Sequence, residues 1–144
     1  KKQVESNLVR MKWMPNVSNE TIWVTRINDV HKKLKAIAAE LEKLPEKYHT
    51  YVTKIGGTYN YRTIKDTNRL SMHSFGIAID INVSHAEYWH WDYEDELDDI
   101  AYRNRIPYVI AEVFEKYGFI WGGKWYHYDT MHFEYRPELL VELQ

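Results

Sequence analysis

Residues 76–82 read Gly-Ile-Ala-Ile-Asp-Ile-Asn, and this alternating stretch decides the fold. In a β-strand, side chains alternate between two faces, so the three isoleucines share one face and Asp80 lies on the other. The spacing of seven residues between His73 and Asp80 would also suit a helix, but Gly76 and the β-branched residues favour a turn into a strand. A carboxylate in mid-strand needs a cation, several hydrogen-bond donors or solvent.

One helix is predicted before this strand and one after it. Apolar residues recur at three- and four-residue steps from Arg26 to Leu44, and Pro45 then ends the pattern. A second helical pattern begins near Pro107, a residue suited to a first helical turn, and ends at Gly118, which is typical of a C-terminal cap.

Strand patterns occupy the space between and after the helices. Residues 51–55 and 58–64 are predicted as two strands around a turn at Gly56 and Gly57. A third strand is predicted at residues 75–83 and a fourth at 132–135. The order of elements indicates an α+β fold with helices packed on one side of a largely antiparallel sheet.

The length of 144 residues suits a single domain, which we expect to span 1–144 with an N-terminal extension at 1–25 and a core at 26–144. A net charge of -2 provides no general attraction to nucleic acid or anionic membranes. The acidic run at 92–99 is interpreted as a solvated loop or helix start, with a calcium site as the alternative. Residues 84–93, which are rich in aromatic side chains and histidine, are interpreted as a loop that could line a cleft.

The chain contains no cysteine, so any metal must be bound by His, Asp or Glu. On their own, His73 and Asp80 are equally consistent with a hydrogen-bonded pair or a partly exposed strand end. A second cluster, Asp129-Thr130-Met131-His132, adds an imidazole with a carboxylate three residues before it. Two His and one Asp would give zinc three protein ligands and leave a fourth position for water, as in catalytic sites. Asp129 would take a proton from that water and pass it to the leaving amine.

These two clusters resemble the motifs of a known family. The run from Ser71 to Asp80 resembles the S-x-H-x-x-G-x-A-x-D signature of the D-alanyl-D-alanine carboxypeptidase-like zinc peptidases, the M15 family. Residues 121–125, Trp-Gly-Gly-Lys-Trp, followed by Asp129 and His132-Phe133-Glu134, resemble the closing motif of its L-alanyl-D-glutamate peptidase and phage endolysin branch. The resemblance extends from about Tyr59 to the C-terminus.

The resemblance implies a Hedgehog/DD-peptidase-like fold, one Zn²⁺ per chain bound by His73, Asp80 and His132, and Asp129 as the catalytic acid/base. Many carboxypeptidases of the family have Glu at the Asp129 position, so Asp favours the endopeptidase branch. Arg62 matches an arginine that stabilises the oxyanion, although a surface arginine on a strand is the alternative.

Four further residues are candidates for supporting roles. Ser71 matches a hydroxyl that contacts substrate or the surroundings of the metal, and it could equally be a turn residue. Trp125 and Tyr126 are candidates for the wall of a substrate groove, although dense aromatics are more often core. Glu134 would share a face with His132 on a strand and could orient that ligand. An ordinary salt bridge is an equal alternative for Glu134.

The expected function is hydrolysis of a peptide bond in peptidoglycan stem peptides, by a monomer that inserts into no membrane. Such an enzyme would act outside the cytoplasm, in the periplasm or cell wall, if the protein is exported, or it would be phage-encoded. A non-catalytic zinc module that binds the cell wall is the first alternative, and a metal-free carbohydrate-binding domain is the second. Asp129 and Arg62 favour the enzyme, because a binding module needs no acid/base carboxylate.

Overall fold

A computed structural model of the chain describes residues 1–92 and 100–141. Within these ranges the helices and strands follow one another in the order α1 (Lys2–Ser6), β1 (Leu8–Trp13), β2 (Glu20–Thr25), α2 (Val30–Lys43), α3 (His49–Val52), β3 (Ala78–Asp80), α4 (Trp89–Asp92), α5 (Tyr108–Lys116), β4 (Phe119–Trp121), β5 (His132–Tyr135) and α6 (Pro137–Val141). The architecture is mixed, with helices and two small antiparallel sheets, and it is compatible with the predicted α+β class. The acidic run at 92–99 lies largely outside the described residues.

The sheet that carries the site has the strand order β3-β5-β4, and both pairs are antiparallel. Ile79 and Ile81 are fully buried on its core side, as their alternation predicts. Asp80 lies on the opposite face, where its partner in the register is His132. The pairing of β3 with β5 therefore brings together two residues that are far apart in the sequence.

Both long helices are confirmed, with small differences at their ends. Helix α2 buries Leu34, Ile37 and Leu41, which lie on one face at helical spacing. It begins at Val30 rather than Arg26 because Asn28 and Asp29 have positive φ angles, which a right-handed helix does not accommodate. In α5, Phe114 stacks on Phe133 of β5 with ring centroids 3.9 Å apart, so this helix is packed directly against the sheet.

The predicted pair of strands at 51–55 and 58–64 is wrong. Tyr51 and Val52 belong to α3, and the later residues form isolated bridges rather than a hairpin. The physical reason is that Gly56 and Gly57 pair with β3: the Gly56 N–H donates to the Asp80 carbonyl and the Asp80 N–H to the Gly57 carbonyl, both at 2.8 Å. Their backbone groups are consequently not available for a turn between two new strands. The strand predicted at 75–83 is shortened to β3, whereas β5 occupies the predicted residues 132–135.

The segment before residue 26 forms a β-hairpin, β1–β2, that sequence inspection did not identify. Trp13, Met14, Ile22 and Val24 from this hairpin belong to the same hydrophobic core as α2, α5 and β5. The Trp13 indole N–H also donates to the Val52 carbonyl at 2.8 Å. The β1–β2 hairpin therefore packs as part of the core. None of the helices in the described residues is long and apolar enough to cross a membrane.

Candidate metal and catalytic site

Three elements bring the candidate ligands together. Asp80 and His132 are cross-strand neighbours on β3 and β5, and such neighbours have closely spaced side chains. His73 lies in a short 3-10 turn, Met72–Phe75, that ends at Gly76 with φ +70°. A side chain at Gly76 would be strained at this φ and would also approach Leu8 Cδ2 to 2.8 Å. Gly76 therefore permits the reversal that returns His73 to the sheet.

The three side chains form a compact cluster with Asp80 at its centre. His73 Nε2 lies 3.2 Å from Asp80 Oδ2, and His132 Nδ1 lies 3.1 Å from Asp80 Oδ1. One ligand atom from each residue lies within 4.8 Å of the other two, so the group could hold a metal ion. Two imidazoles and a carboxylate are ligands that zinc accepts, and three protein ligands are typical of its catalytic sites.

Each imidazole has a second partner that fixes its orientation. His73 Nδ1–H donates to the Thr58 carbonyl at 2.6 Å, because a carbonyl can only accept. His132 Nε2–H donates to Glu134 Oε1 at 2.8 Å, and Glu134 Oε2 is in turn 3.3 Å from Arg136. These bonds leave His73 Nε2 and His132 Nδ1 to face Asp80, which is the arrangement that metal sites use to orient histidine ligands.

The charges within the cluster are strongly coupled. Burial alone would raise the pKa of Asp80, but the hydrogen bond from His132 and the close approach of His73 outweigh burial and hold this pKa well below its usual range. Burial likewise disfavours charged His132, but bonds to Asp80 and Glu134 outweigh it and raise the pKa of His132 to about 10. Without a metal, the cluster therefore holds a proton on His132 at neutral pH. A metal ion must displace that proton when it binds.

Asp129 lies beside this cluster, with one carboxylate oxygen buried. Among the described residues none forms a hydrogen bond with Asp129 Oδ1. Burial, reinforced by the negative charge of Asp80, raises the pKa of Asp129 to about 6, although the positive charges of His132, His73 and Arg62 oppose this rise. A carboxyl group with a pKa near neutrality can both accept and return a proton, which suits an acid/base.

The backbone of Asp129 is held by Gly122. The Asp129 N–H donates to the Gly122 carbonyl at 2.9 Å. A Cβ atom at position 122 would collide with the Asp129 carbonyl oxygen. The glycine at position 122 therefore allows a close approach that no other residue type permits.

A cleft of about 490 Å³ opens over the cluster. Its lining includes Arg62, Ser71 and Trp125 together with the three candidate ligands and Asp129. Arg62 is exposed, and its backbone N–H donates to Ser74 Oγ at 2.9 Å. Ser71 also caps the 3-10 turn, since its Oγ accepts from the His73 N–H at 3.3 Å, which matches the turn interpretation as well as the site interpretation.

The two aromatic candidates are placed differently. The Trp125 ring lies 5.6 Å from the His132 ring and lines the cleft. Tyr126 is 56% exposed and is not part of the lining. Tyr88, in the loop before α4, and Trp89, the first residue of α4, also belong to the lining. The aromatic composition of residues 84–93 had suggested a cleft at this loop, but no sequence feature distinguished Tyr88 from its neighbours.

Comparison with known families agrees with this geometry. Residues 65–135 match the family model described as D-alanyl-D-alanine carboxypeptidase. Residues 65–135 are those of an M15 family peptidase. The matched range includes His73, Asp80, Asp129 and His132, whereas Arg62 lies just before it. A search of curated proteins and a search of solved structures found no match. M15 peptidases are zinc peptidases, and the His73–Asp80–His132 cluster of this chain provides a group that could bind the metal.

Proposed function

We propose that the protein is a zinc-dependent peptidase that hydrolyses a peptide bond in peptidoglycan stem peptides, as an L-Ala-D-Glu endopeptidase or a D-Ala-D-Ala carboxypeptidase. One observation carries the proposal: a buried Asp129 oxygen, to which no described residue donates a hydrogen bond, lies beside the His73–Asp80–His132 cluster, inside the region that matches the M15 family. The substrate class follows from the family. On the same ground we propose that the fold is Hedgehog/DD-peptidase-like. A peptidoglycan substrate implies action in the periplasm or cell wall.

His73, Asp80 and His132 would hold one zinc ion, which polarises the scissile carbonyl and lowers the pKa of the attacking water. Asp129 accepts the proton of that water and returns it to the leaving amine, for which its pKa of about 6 is suited. Arg62, exposed at the cleft, stabilises the negative charge that develops on the carbonyl oxygen. Trp125, beside His132, contacts the residues that flank the scissile bond.

The test is mass spectrometry of purified muropeptides before and after incubation with the zinc-loaded protein. We expect new peptide termini, and their identity distinguishes cleavage after L-Ala from cleavage before the terminal D-Ala. The variant Asp129→Ala should retain one zinc per chain and lose turnover, whereas His73→Ala and His132→Ala should lose tight zinc binding. Zinc binding without any new termini would instead favour a non-catalytic cell-wall module. Normal cleavage by Asp129→Ala would refute the assigned mechanism.

A further inference from the structure

Tyr88 and Asp129 form a cross-strand pair that the sequence gives no reason to expect. The Trp89 N–H donates to the Tyr128 carbonyl and the Thr130 N–H to the Glu87 carbonyl, both at 2.9 Å. These two bonds flank Tyr88 and Asp129, which are joined as an isolated antiparallel bridge. In such a pair the two side chains project from the same face and lie close together. Tyr88 is therefore directed to the side on which Asp129 lies.

The Tyr88 hydroxyl is available to a substrate. The side chain is half-buried and lines the cleft together with Arg62, Asp129 and His132. Its ring packs edge-on against Trp91 with centroids 5.9 Å apart, which restricts its orientation. No residue in the described part of the chain forms a hydrogen bond with the Tyr88 hydroxyl. A phenol of fixed orientation that lines a cleft, and that no described residue engages, has a donor to offer.

Tyr88 remains protonated under conditions in which Asp129 is ionised. Burial and the negative charge of Asp129 raise the pKa of Tyr88, while Arg62 opposes this rise. The phenol therefore stays neutral over the pH range in which the carboxylate can act as a base. A tyrosine side chain is also longer than aspartate, so it can reach further from the paired backbone segments than the neighbouring carboxylate.

We propose that Tyr88 is a further catalytic residue, whose hydroxyl donates a hydrogen bond to the scissile carbonyl oxygen as negative charge develops on it. This inference rests on the proposed peptidase function. Tyr88 transfers no proton in this role, because the proton of the attacking water passes to Asp129. Its contribution is a second donor to the carbonyl oxygen, in addition to the Arg62 guanidinium.

The variant Tyr88→Phe tests this role, because it removes one oxygen atom and keeps the ring that packs against Trp91. We expect kcat on the muropeptide substrate to fall about 10²-fold, as when one oxyanion donor is removed, with KM and zinc content unchanged. The matched control is Tyr117→Phe, which removes a hydroxyl that lies beside Glu40, away from the cleft. The control should retain wild-type kcat. A Tyr88→Phe enzyme as fast as wild type would overturn the inference but not the proposed function, which fails only if the wild-type protein cleaves nothing.

A binding experiment separates direct contact from an effect through Asp129. The probe is a phosphinate peptide, in which tetrahedral phosphorus replaces the scissile carbonyl, and its affinity is measured by calorimetry with the zinc-loaded protein. Tyr88→Phe should weaken phosphinate binding by a similar factor in the wild-type and Asp129→Asn backgrounds, because a contact with the oxyanion does not depend on the carboxylate. If the loss disappears in the Asp129→Asn background, Tyr88 acts through Asp129 and the proposal is overturned.

Discussion

At the scale of single residues, the buried carboxylate of Asp129 lowers the stability of the fold when it is ionised. Burial makes its negative charge costly, and the raised pKa of about 6 expresses this cost relative to an ordinary value of 3.8. Because the folded pKa is the higher one, the fold is stabilised by protonated Asp129 at low pH. That stability is lost as pH rises from about 4 through about 6.

Replacing Asp129 with Asn should therefore stabilise the zinc-free protein at neutral pH. The rise in the pKa of Asp129 corresponds to a gain of about 2–3 kcal/mol in the free energy of unfolding above pH 7. Little of this gain remains at pH 4. Denaturant titrations of the two zinc-free proteins at pH 4 and pH 8 measure the difference. Asp29→Asn, at a side chain that is 62% exposed, is the control and should show no such pH-dependent gain. An equal effect of Asp129→Asn at both pH values would contradict the assigned pKa.

Glu134 is expected to act through His132. It accepts a hydrogen bond from His132 Nε2–H and is itself paired with Arg136. The variant Glu134→Gln should weaken zinc binding by about 10–100-fold, since partners of metal ligands commonly contribute that much. Competition with a chelator of known affinity measures the effect. Glu138→Gln is a matched control, because Glu138 is exposed and pairs with the same arginine; if both variants bind zinc equally well, Glu134 has no orienting role.

At the scale of elements, sequence patterns succeeded where one face of an element is apolar. Helices α2 and α5 were predicted because their apolar residues repeat at helical spacing, and β3 because Ile79 and Ile81 alternate with Asp80. The pair of strands at 51–64 was wrong because two adjacent glycines resemble a turn, although their backbone groups pair with a distant strand. The β1–β2 hairpin lacked the short glycine turn by which hairpins are usually identified.

The candidate site was predictable to a similar extent and for similar reasons. Motif spacing and the family resemblance predicted His73, Asp80, His132 and Asp129, and the first three lie close enough together to hold a metal ion. The Thr58 carbonyl that orients His73 carries no side-chain signature, so no sequence pattern could identify it. Tyr88 was not distinguished because its placement depends on pairing with residues about forty positions later.

The β4–β5 connection contains a tightly constrained glycine of the site, Gly122. Gly122→Ala should place a methyl group against the Asp129 carbonyl, shift the Asp129 carboxylate and lower both turnover and the melting temperature. The control is Gly57→Ala, where an added Cβ meets nothing within 4 Å. Thermal melts and muropeptide cleavage rates measure the two effects. A Gly122→Ala protein with unchanged activity would show that the close approach is not needed for catalysis.

At the scale of the whole molecule, the N-terminal hairpin and the sheet that carries the candidate metal site share one core. We propose that residues 1–144 fold as a single domain, since Trp13 is fully buried and lies in the same cluster as Phe114 and Phe133. The ring centroids of Trp13 and Phe114 are 6.4 Å apart. Loss of the hairpin side chains should consequently destabilise the whole molecule rather than one end of it.

Trp13→Ala tests this proposal. The variant should lose about 3–5 kcal/mol of unfolding free energy, as large-to-small changes in a core usually do, and should unfold in one transition. Trp23→Ala on the same hairpin is the control, because Trp23 is 50% exposed and should cost far less. Tryptophan fluorescence and circular dichroism during urea unfolding measure both variants. Two separate transitions would indicate that the hairpin and the remainder fold independently.

The unequal support of the three ligands determines how the molecule should respond to metal exchange. Asp80 and His132 lie on paired strands of the sheet, whereas His73 is carried by a short turn that depends on Gly76 and on its bond to Thr58. A metal ion bound by all three would act as a cross-link that closes the chain between this turn and the last strand. Removal of the metal would free the turn first. Metal exchange would therefore proceed by local opening of the turn that carries His73, while the sheet stays folded.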